Sequence, residues 1–202
     1  MKKQLLSILA AMTIAVICLP IAAKPQRNGR TLHNFQAAYN GESNAHARYL
    51  AFAEQADKEG YPPVGVLFRA AARAEEIHRT NHSAVIKQLG AIPKASMEKL
   101  SVRSTKDNLE TSANKGEAYE RDTMYPNFIK IAEAEGVPAA ANSFRYAQES
   151  EAEHYNLFMH ALDHLDKMHA AGVTYYVCGT SGYTAASMDA IYCPDSEYET
   201  IK

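Results

Sequence analysis

An internal repeat restricts the fold of this chain more than any other feature of its sequence. The stretch EGYPPVGVLFRAAARAEEIH, residues 59–78, aligns without a gap with EGVPAAANSFRYAQESEAEH, residues 135–154, at an offset of 76. The residues that recur at this offset are Glu59, Gly60, Pro62, Phe68, Arg69, Ala71, Glu75 and His78. The fold must therefore contain one structural unit twice, with the same turn and the same packing positions in each copy.

Each copy of the repeat is predicted to be a helical hairpin. From residue 31 to about residue 168, apolar residues recur at spacings of three and four, as in FQAAYNGESNAHARYLAFAEQA. Glycine and proline interrupt this pattern around Pro62, Pro93 and Pro138. The predicted helical segments are 31–59, 63–89, 104–135 and 138–168. Long helices with mostly short connections predict a mainly α protein, a four-helix bundle occupying residues 24–168.

The repeat also duplicates a carboxylate and an imidazole. Glu75 and His78 form an E-x-x-H motif, and Glu151 and His154 form a second one. Residues three apart share a helix face, so each motif presents both groups together. The helix preceding each motif carries a further glutamate: Glu42 and Glu117. Core packing explains a repeated phenylalanine or alanine, but it gives no reason to repeat glutamate and histidine.

These residues predict a site for two metal ions. One glutamate on each of two helices, with E-x-x-H on each of the other two, is the arrangement of ferritin-like di-iron carboxylate sites. Carboxylates can bridge two cations, and imidazole is a good ligand for iron or manganese. Without metal, so many carboxylates in a bundle core would repel one another and lose their hydration. A solvated helix face is the usual explanation of one E-x-x-H motif, but it does not explain a duplicated one.

With this pattern, residues 31 to about 166 resemble the rubrerythrin family. Glu120, three residues after Glu117, resembles the additional carboxylate that separates rubrerythrins from other ferritin-like proteins. Tyr49 and Tyr125 are similar to family tyrosines that hydrogen-bond to the ligands, although both also suit an ordinary aromatic core. The resemblance implies catalytic roles for Glu120, Tyr49 and Tyr125.

The resemblance also implies which metal each ligand holds. Both metals are bridged by Glu75 and Glu151. One metal is held in addition by Glu42, Glu120 and, in the reduced state, His78. The other is held in addition by Glu117 and His154. His46 and His82 follow candidate ligands by four residues and are either neighbours of the ligands or, as we expect, surface or packing histidines.

Residues 1–23 are predicted to be a signal peptide. Lys2 and Lys3 precede an apolar run that ends in the small residues Ala22 and Ala23. A membrane anchor is the alternative, but Pro20 interrupts the run. Removal of the two lysines takes the formal charge from −2 to −4, and the remaining lysines and arginines do not cluster. The sequence therefore favours an exported protein, in the periplasm or another extracytoplasmic compartment, with no nucleic-acid partner and no membrane association after cleavage.

The tail, residues 169–202, resembles a degenerate rubredoxin module. A rubredoxin iron needs two C-x-x-C pairs, but serines follow the cysteines here, in Cys178-Gly-Thr-Ser181 and Cys193-Pro-Asp-Ser196. No rubredoxin iron is therefore expected. The knuckles of such a module hold their cysteines close together, so export favours a Cys178–Cys193 disulfide. A redox-active dithiol and a weak zinc site remain alternatives.

Together, the motifs and the resemblance imply an exported non-haem di-iron oxidoreductase. The expected reaction is the rubrerythrin-type reduction of hydrogen peroxide to water. The electrons would come from an unknown extracytoplasmic donor, and the resemblance implies a homodimer. The alternatives are a ferroxidase or iron-handling protein and a non-catalytic metal-binding bundle. Iron is the expected metal, with manganese as an alternative.

Overall fold

The protein is a bundle of long helices followed by a small sheet. A computed structural model describes residues 29–170 and 172–202. Its helices are α1 (Gly29–Lys58), α2 (Pro62–Gln88), α3 (Thr105–Thr111), α4 (Tyr125–Ala134) and α5 (Pro138–Asp163). Between α3 and α4 the chain stays helical and includes two π-helical segments, Ser112–Glu117 and Glu120–Met124. The stretch from α3 to α4 is thus one bundle helix, which confirms the predicted four-helix bundle. The predicted signal peptide lies outside the described residues.

The two hairpins turn in the same way. Gly60 and Gly136 end the first helix of each hairpin with φ of 82° and 71°, a conformation that glycine adopts without steric cost. Pro62 and Pro138 are the first residues of α2 and α5. Proline is favoured there because its fixed φ suits a helix and its missing N–H is not needed. The repeated glycine and proline therefore encode the turn.

A glutamate at the turn of each hairpin accepts a hydrogen bond from the beginning of the first helix of the other hairpin. The Glu59 carboxylate accepts a hydrogen bond of 2.7 Å from the Thr105 backbone N–H, at the start of α3. Glu135 accepts one of 3.0 Å from the Thr31 backbone N–H, near the start of α1. The repeated arginines form ion pairs, Arg69 with Asp57 and Arg145 with Glu133. The repeat thus places two equivalent hairpins around a pseudo-twofold axis.

The long connection from α2 to α3 is fixed by amide side chains of α1. Gln36, Asn40 and Asn44 recur every four residues and so lie along one face of the helix. The Gln36 side-chain amide donates a hydrogen bond of 2.8 Å to the Ile92 backbone carbonyl. The side-chain carbonyl of Asn40 accepts one of 2.7 Å from the backbone N–H of residue 96, and that of Asn44 accepts one of 2.8 Å from residue 98. The connection therefore runs as an ordered extended segment along α1.

Two separate apolar clusters form the bundle core. The first contains Tyr49, Phe52, Phe68 and Phe158, and the second contains Phe35, Tyr125 and Phe144. The repeated phenylalanines, Phe68 and Phe144, thus belong to different clusters. Tyr49 and Tyr125 direct their hydroxyls to buried glutamates. The polar centre of the bundle accordingly lies between two apolar layers.

The tail packs against α2 and α5. Strands β1 (Tyr175–Cys178), β2 (Thr184–Ala185) and β3 (Tyr198–Ile201) form an antiparallel sheet of order β2-β1-β3. The Asn81 amide on α2 donates to the Thr180 carbonyl at 2.8 Å. In the described part of the chain, no helix has the length and apolar character needed to cross a bilayer.

Candidate metal centre

The structure brings six of the seven predicted ligands together in the middle of the bundle. The four glutamates Glu42, Glu75, Glu117 and Glu151 have no exposed surface, and the histidines His78 and His154 are at most 1% exposed. Each E-x-x-H motif lies within one α-helix, so both of its side chains face the bundle axis. Such complete burial of ionisable groups requires compensation by partners of opposite charge.

The six side chains form two overlapping groups. The first consists of Glu42, Glu75, His78 and Glu151, and the second of Glu75, Glu117, Glu151 and His154. Within each group, one ligand atom per residue lies within 4.8 Å of the others. Glu75 and Glu151 belong to both groups. The geometry therefore suits two adjacent metal ions with these two glutamates between them, and the individual ligand roles stay a prediction.

Glu120 lies at the edge of this centre rather than inside it. Its side chain is half-buried and belongs to neither group. Burial and the nearby Glu42 and Glu151 carboxylates raise the pKa of Glu120 well above its usual value. Glu120 is therefore a titratable carboxyl at the rim of the centre, and its role there stays a prediction.

The two predicted tyrosines connect the hairpins. The Tyr49 hydroxyl donates a hydrogen bond to Glu117, and the Tyr125 hydroxyl donates one to Glu42. Each bond joins the first helix of one hairpin to the first helix of the other. Burial and the adjacent carboxylate raise the pKa of each tyrosine well above its usual value. Both hydroxyls therefore keep their protons and remain donors that orient the glutamates.

Without cations, the buried glutamate carboxylates repel one another, and burial opposes their ionisation. Burial, followed by the Glu151 carboxylate, raises the pKa of Glu75 and of Glu117 well above the usual value. Burial also opposes the ionisation of Glu151, but His78 and His154 outweigh it and lower the pKa of that carboxyl. Two imidazoles therefore compensate only part of the buried negative charge.

Unpaired carboxylate oxygens show that the centre fits metal ions. Three of the four buried glutamates have one buried oxygen without a hydrogen-bond partner in the described residues: Glu42 Oε2, Glu75 Oε1 and Glu117 Oε2. A buried acceptor without a partner costs free energy unless something satisfies it. Carboxylate oxygens together with imidazole nitrogens are suitable ligands for iron or manganese. The donor set therefore fits the predicted metal pair.

Both ligand histidines have the same orientation. His78 Nδ1 lies 2.9 Å from Glu75 Oε2 and 3.0 Å from Glu151 Oε1. His154 Nδ1 lies 2.8 Å from Glu151 Oε2. The two Nδ1 atoms thus face the carboxylates, and the two Nε2 atoms face the tail. The sequence did not indicate these contacts between the tail and the ligands, because no periodic pattern connects residues that lie 103 and 30 positions apart in different elements.

The two further histidines have different surroundings. His82 is fully buried, and its Nε2 lies 3.2 Å from the Tyr125 hydroxyl and 3.8 Å from Glu42 Oε1. Burial lowers the pKa of His82. His46 is half-buried, and its Nδ1 lies 2.7 Å from the Ala72 carbonyl oxygen. His82 also packs against the rings of Phe35 and Phe144, so it is a packing histidine that borders Glu42.

The tail cysteines are close enough to be bonded. The sulfurs of Cys178 and Cys193 lie 2.04 Å apart, and their Cα atoms are 5.3 Å apart. Asp195 is the one further metal-binding side chain that groups with them among the described residues. Structural zinc sites use four protein ligands. The surroundings of the cysteines therefore favour a disulfide over the zinc alternative.

Comparison with known proteins agrees with the fold and the metal centre. The rubrerythrin family profile matches residues 33–162. Rubrerythrin-2 of Clostridium acetobutylicum is 34% identical over 177 residues, which cover 83% of this chain and 92% of the relative. Nigerythrin of Nitratidesulfovibrio vulgaris is 35% identical over 167 residues, which cover 82% of this chain and 81% of the relative.

Comparison with solved structures also finds rubrerythrin-like and ferritin-like proteins. A structure of nigerythrin in a mixed-valence state superposes with a TM-score of 0.76 at 31% identity and covers 92% of this chain and 95% of its own. A bacterioferritin of Desulfovibrio desulfuricans superposes with a TM-score of 0.66 at 21% identity, covering 73% of this chain and 87% of its own, and shares the fold. From its family profile, its relatives and its buried carboxylate–histidine groups, the chain belongs to the rubrerythrin family of ferritin-like di-iron proteins.

Proposed function

We propose that this protein is an exported peroxidase of the rubrerythrin type, which reduces hydrogen peroxide to water with electrons from an external donor. The overlap of the two ligand groups at Glu75 and Glu151 carries the proposal. Hydrogen peroxide takes up two electrons and two protons when its O–O bond breaks, and two water molecules form. A pair of adjacent redox metals, when bound, supplies both electrons at one place.

The chain's own residues supply the ligands, their orientation and a proton site. The six buried ligands would hold the metals between the apolar layers. Tyr49 and Tyr125 hold Glu117 and Glu42 by donating hydrogen bonds across the bundle. Glu120 lies at the rim, outside the two ligand groups, where its carboxyl can exchange a proton with an oxygen of the substrate.

The composition of the tail supports an external electron donor. A rubredoxin iron needs four thiolates, and the tail offers only Cys178 and Cys193. Serine is a poor replacement because its hydroxyl keeps its proton near neutral pH. The leader-like residues 1–23 support export, and an oxidising compartment would suit a disulfide between the two tail cysteines. The donor is then an extracytoplasmic reductant.

We also propose that the protein is a homodimer. Family membership suggests it, and exposed apolar side chains on the segment between α2 and α3 provide a surface for it. Ile92 and Met97 are 74% and 59% exposed, and Leu100 and Val102 are also exposed. Burial of these side chains between two copies would remove apolar surface from water. Sedimentation at equilibrium should give twice the mass of one chain.

The function is tested by peroxide consumption under anaerobic conditions. The mature protein is loaded with Fe(II), and peroxide is added with an excess of chemical reductant. We expect repeated turnover and two metal ions per chain by elemental analysis. Glu75→Gln should lower the metal content and slow turnover more than about 100-fold, because Glu75 belongs to both ligand groups. Glu76→Gln is the matched control, since Glu76 is adjacent but pairs with Arg73 away from the centre.

The same experiment separates the alternatives. A ferroxidase would oxidise Fe(II) without sustained peroxide turnover, and a non-catalytic bundle would bind metal without either reaction. Two metals per chain in Glu75→Gln, with full turnover, would rule out the proposed centre.

A further inference from the structure

A loop of the tail covers the outer side of both ligand histidines. The Ser181 carbonyl oxygen lies 3.0 Å from His78 Nε2, and the Thr184 hydroxyl lies 3.0 Å from His154 Nε2. Between them, Gly182 has φ of 79°, and a Cβ atom there would lie 2.4 Å from His78 Nε2. Only glycine permits this approach, so the loop, residues 180–184, is fitted closely to the histidines.

The hydroxyl groups around His154 determine which atom carries its proton. Thr184 Oγ1 donates to the Gly182 carbonyl at 3.1 Å, and Ser150 Oγ donates to the same oxygen at 2.9 Å. A hydroxyl has a single proton to donate, but it can also accept. With their protons directed to Gly182, both hydroxyls can only accept from His154. Its Nε2 must therefore carry the hydrogen and donate it.

This arrangement leaves the other nitrogen of the ring as the one that binds a metal. In the metal-free protein His154 Nδ1 lies 2.8 Å from Glu151 Oε2 and shares a hydrogen with that carboxylate. With the other ring hydrogen held on Nε2, a bound metal would replace only the hydrogen on Nδ1 and would take up the lone pair there. Thr184 is the nearer of the two acceptors, since Ser150 Oγ lies 3.4 Å from Nε2. Both hydroxyls are buried, so water does not replace them.

We propose that Thr184 is a positioning residue of the metal centre, whose hydroxyl fixes His154 in the tautomer and orientation that present Nδ1 to the metal. The proposal rests on the proposed role of His154 as a ligand. It gives the tail a function that does not need the missing rubredoxin iron. The tail acts as an outer support for the ligands, which an acceptor on the far nitrogen of a histidine commonly provides.

The two histidines differ in a way that makes the proposal testable. His78 donates to a backbone carbonyl, which no side-chain substitution removes, whereas His154 donates to the side chain of Thr184. Substitution of Thr184 should therefore affect one metal position and leave the other as an internal reference. Thr184→Val removes the hydroxyl and keeps the branched shape, and Thr184→Ser keeps the hydroxyl.

The experiment is an anaerobic Fe(II) titration of the mature, metal-free protein. We expect Thr184→Val to weaken one of the two sites about 10- to 100-fold, and Thr184→Ser to stay within about twofold of the parent protein. Nitrogen-15 NMR of the metal-free protein should show His154 with hydrogen on Nε2 in the parent and in Thr184→Ser. In Thr184→Val, both tautomers should appear.

Three outcomes would overturn the proposal. Unchanged affinity in Thr184→Val would do so, and so would an unchanged His154 tautomer. An equal loss at both sites would do so as well, because it would indicate general loosening of the loop. The His154→Ala variant distinguishes a wrong positioning role for Thr184 from a wrong assignment of His154 as a ligand. If His154→Ala keeps two sites of normal affinity, the ligand assignment is wrong. If it loses one site while Thr184→Val loses nothing, only the positioning role is wrong.

Discussion

At the scale of single residues, the centre depends on hydrogen bonds that cross between the hairpins. Tyr49 and Tyr125 each donate to a glutamate of the other hairpin. A hydrogen bond to a charged group contributes about 1.5 to 3 kcal/mol, and a buried carboxylate that loses its donor is penalised further. The tyrosines thus hold in place glutamates that repel one another in the absence of metal.

Glu120 should be needed for turnover and not for folding. It lies outside the two ligand groups and is half-buried, so Glu120→Ala should keep two metals and a thermal midpoint close to that of the parent. A positioned proton donor commonly contributes a factor of about 10² to 10⁴, and peroxide turnover should fall accordingly. Anaerobic peroxide kinetics with elemental analysis provide the measurement, and Glu110→Ala on the exposed face of α3 is the control. Unchanged kinetics in the fully metallated variant would leave Glu120 without a role.

At the scale of elements, the third bundle helix has two residues more than its counterpart α1 between equivalent contact points. The equivalent points are Thr31, Glu42 and Tyr49 in α1 and Thr105, Glu117 and Tyr125 in the third helix. The successive spacings are eleven and seven residues in α1 but twelve and eight in the third helix. Each extra residue coincides with one π-helical segment, Ser112–Glu117 or Glu120–Met124. An extra residue between fixed contacts is accommodated as a π turn.

Deletion of Tyr119 should remove the second π segment. The spacing from Glu117 to Tyr125 would become seven, as in α1, so the bundle should still fold and bind two metals. Glu120 would then follow Glu117 by two residues, about 200° around an α-helix, and would leave the centre. Turnover should fall to the level of Glu120→Ala, measured in the same assay. Tyr119→Ala is the control, because Tyr119 is 54% exposed and its substitution keeps the spacing. A deletion variant with full turnover would contradict this role of the π segment.

At the scale of the whole molecule, the sequence predicts the bundle better than it predicts the contacts between the bundle and the tail. Helical periodicity and the repeat indicate the hairpins, and E-x-x-H spacing fixes which side chains share a face. The one-residue differences in spacing are readable in the sequence, but only the structure shows that π segments accommodate them. By contrast, His46 and His82 have the same spacing from a ligand and different partners, which only the packing of neighbouring helices decides. The contacts of Ser181 and Thr184 with the histidines likewise depend on where the tail folds back.

The tail of the exported protein should contain a Cys178–Cys193 disulfide and no iron. A bridge that closes a loop of this length, 15 residues apart in sequence, stabilises a small module by about 3 kcal/mol in the chain-entropy description. The exported protein should therefore show no free thiol when it is unfolded without reductant, and its tail should resist proteolysis. The control is the chain without residues 1–23, produced in a reducing cytoplasm, which should show two free thiols and a tail that is cleaved faster. Because residues 180–184 contact both ligand histidines, this reduced form should also bind Fe(II) more weakly until it is oxidised. Two free thiols in the exported protein, or the red absorption of a rubredoxin iron, would show that the tail is held together in another way.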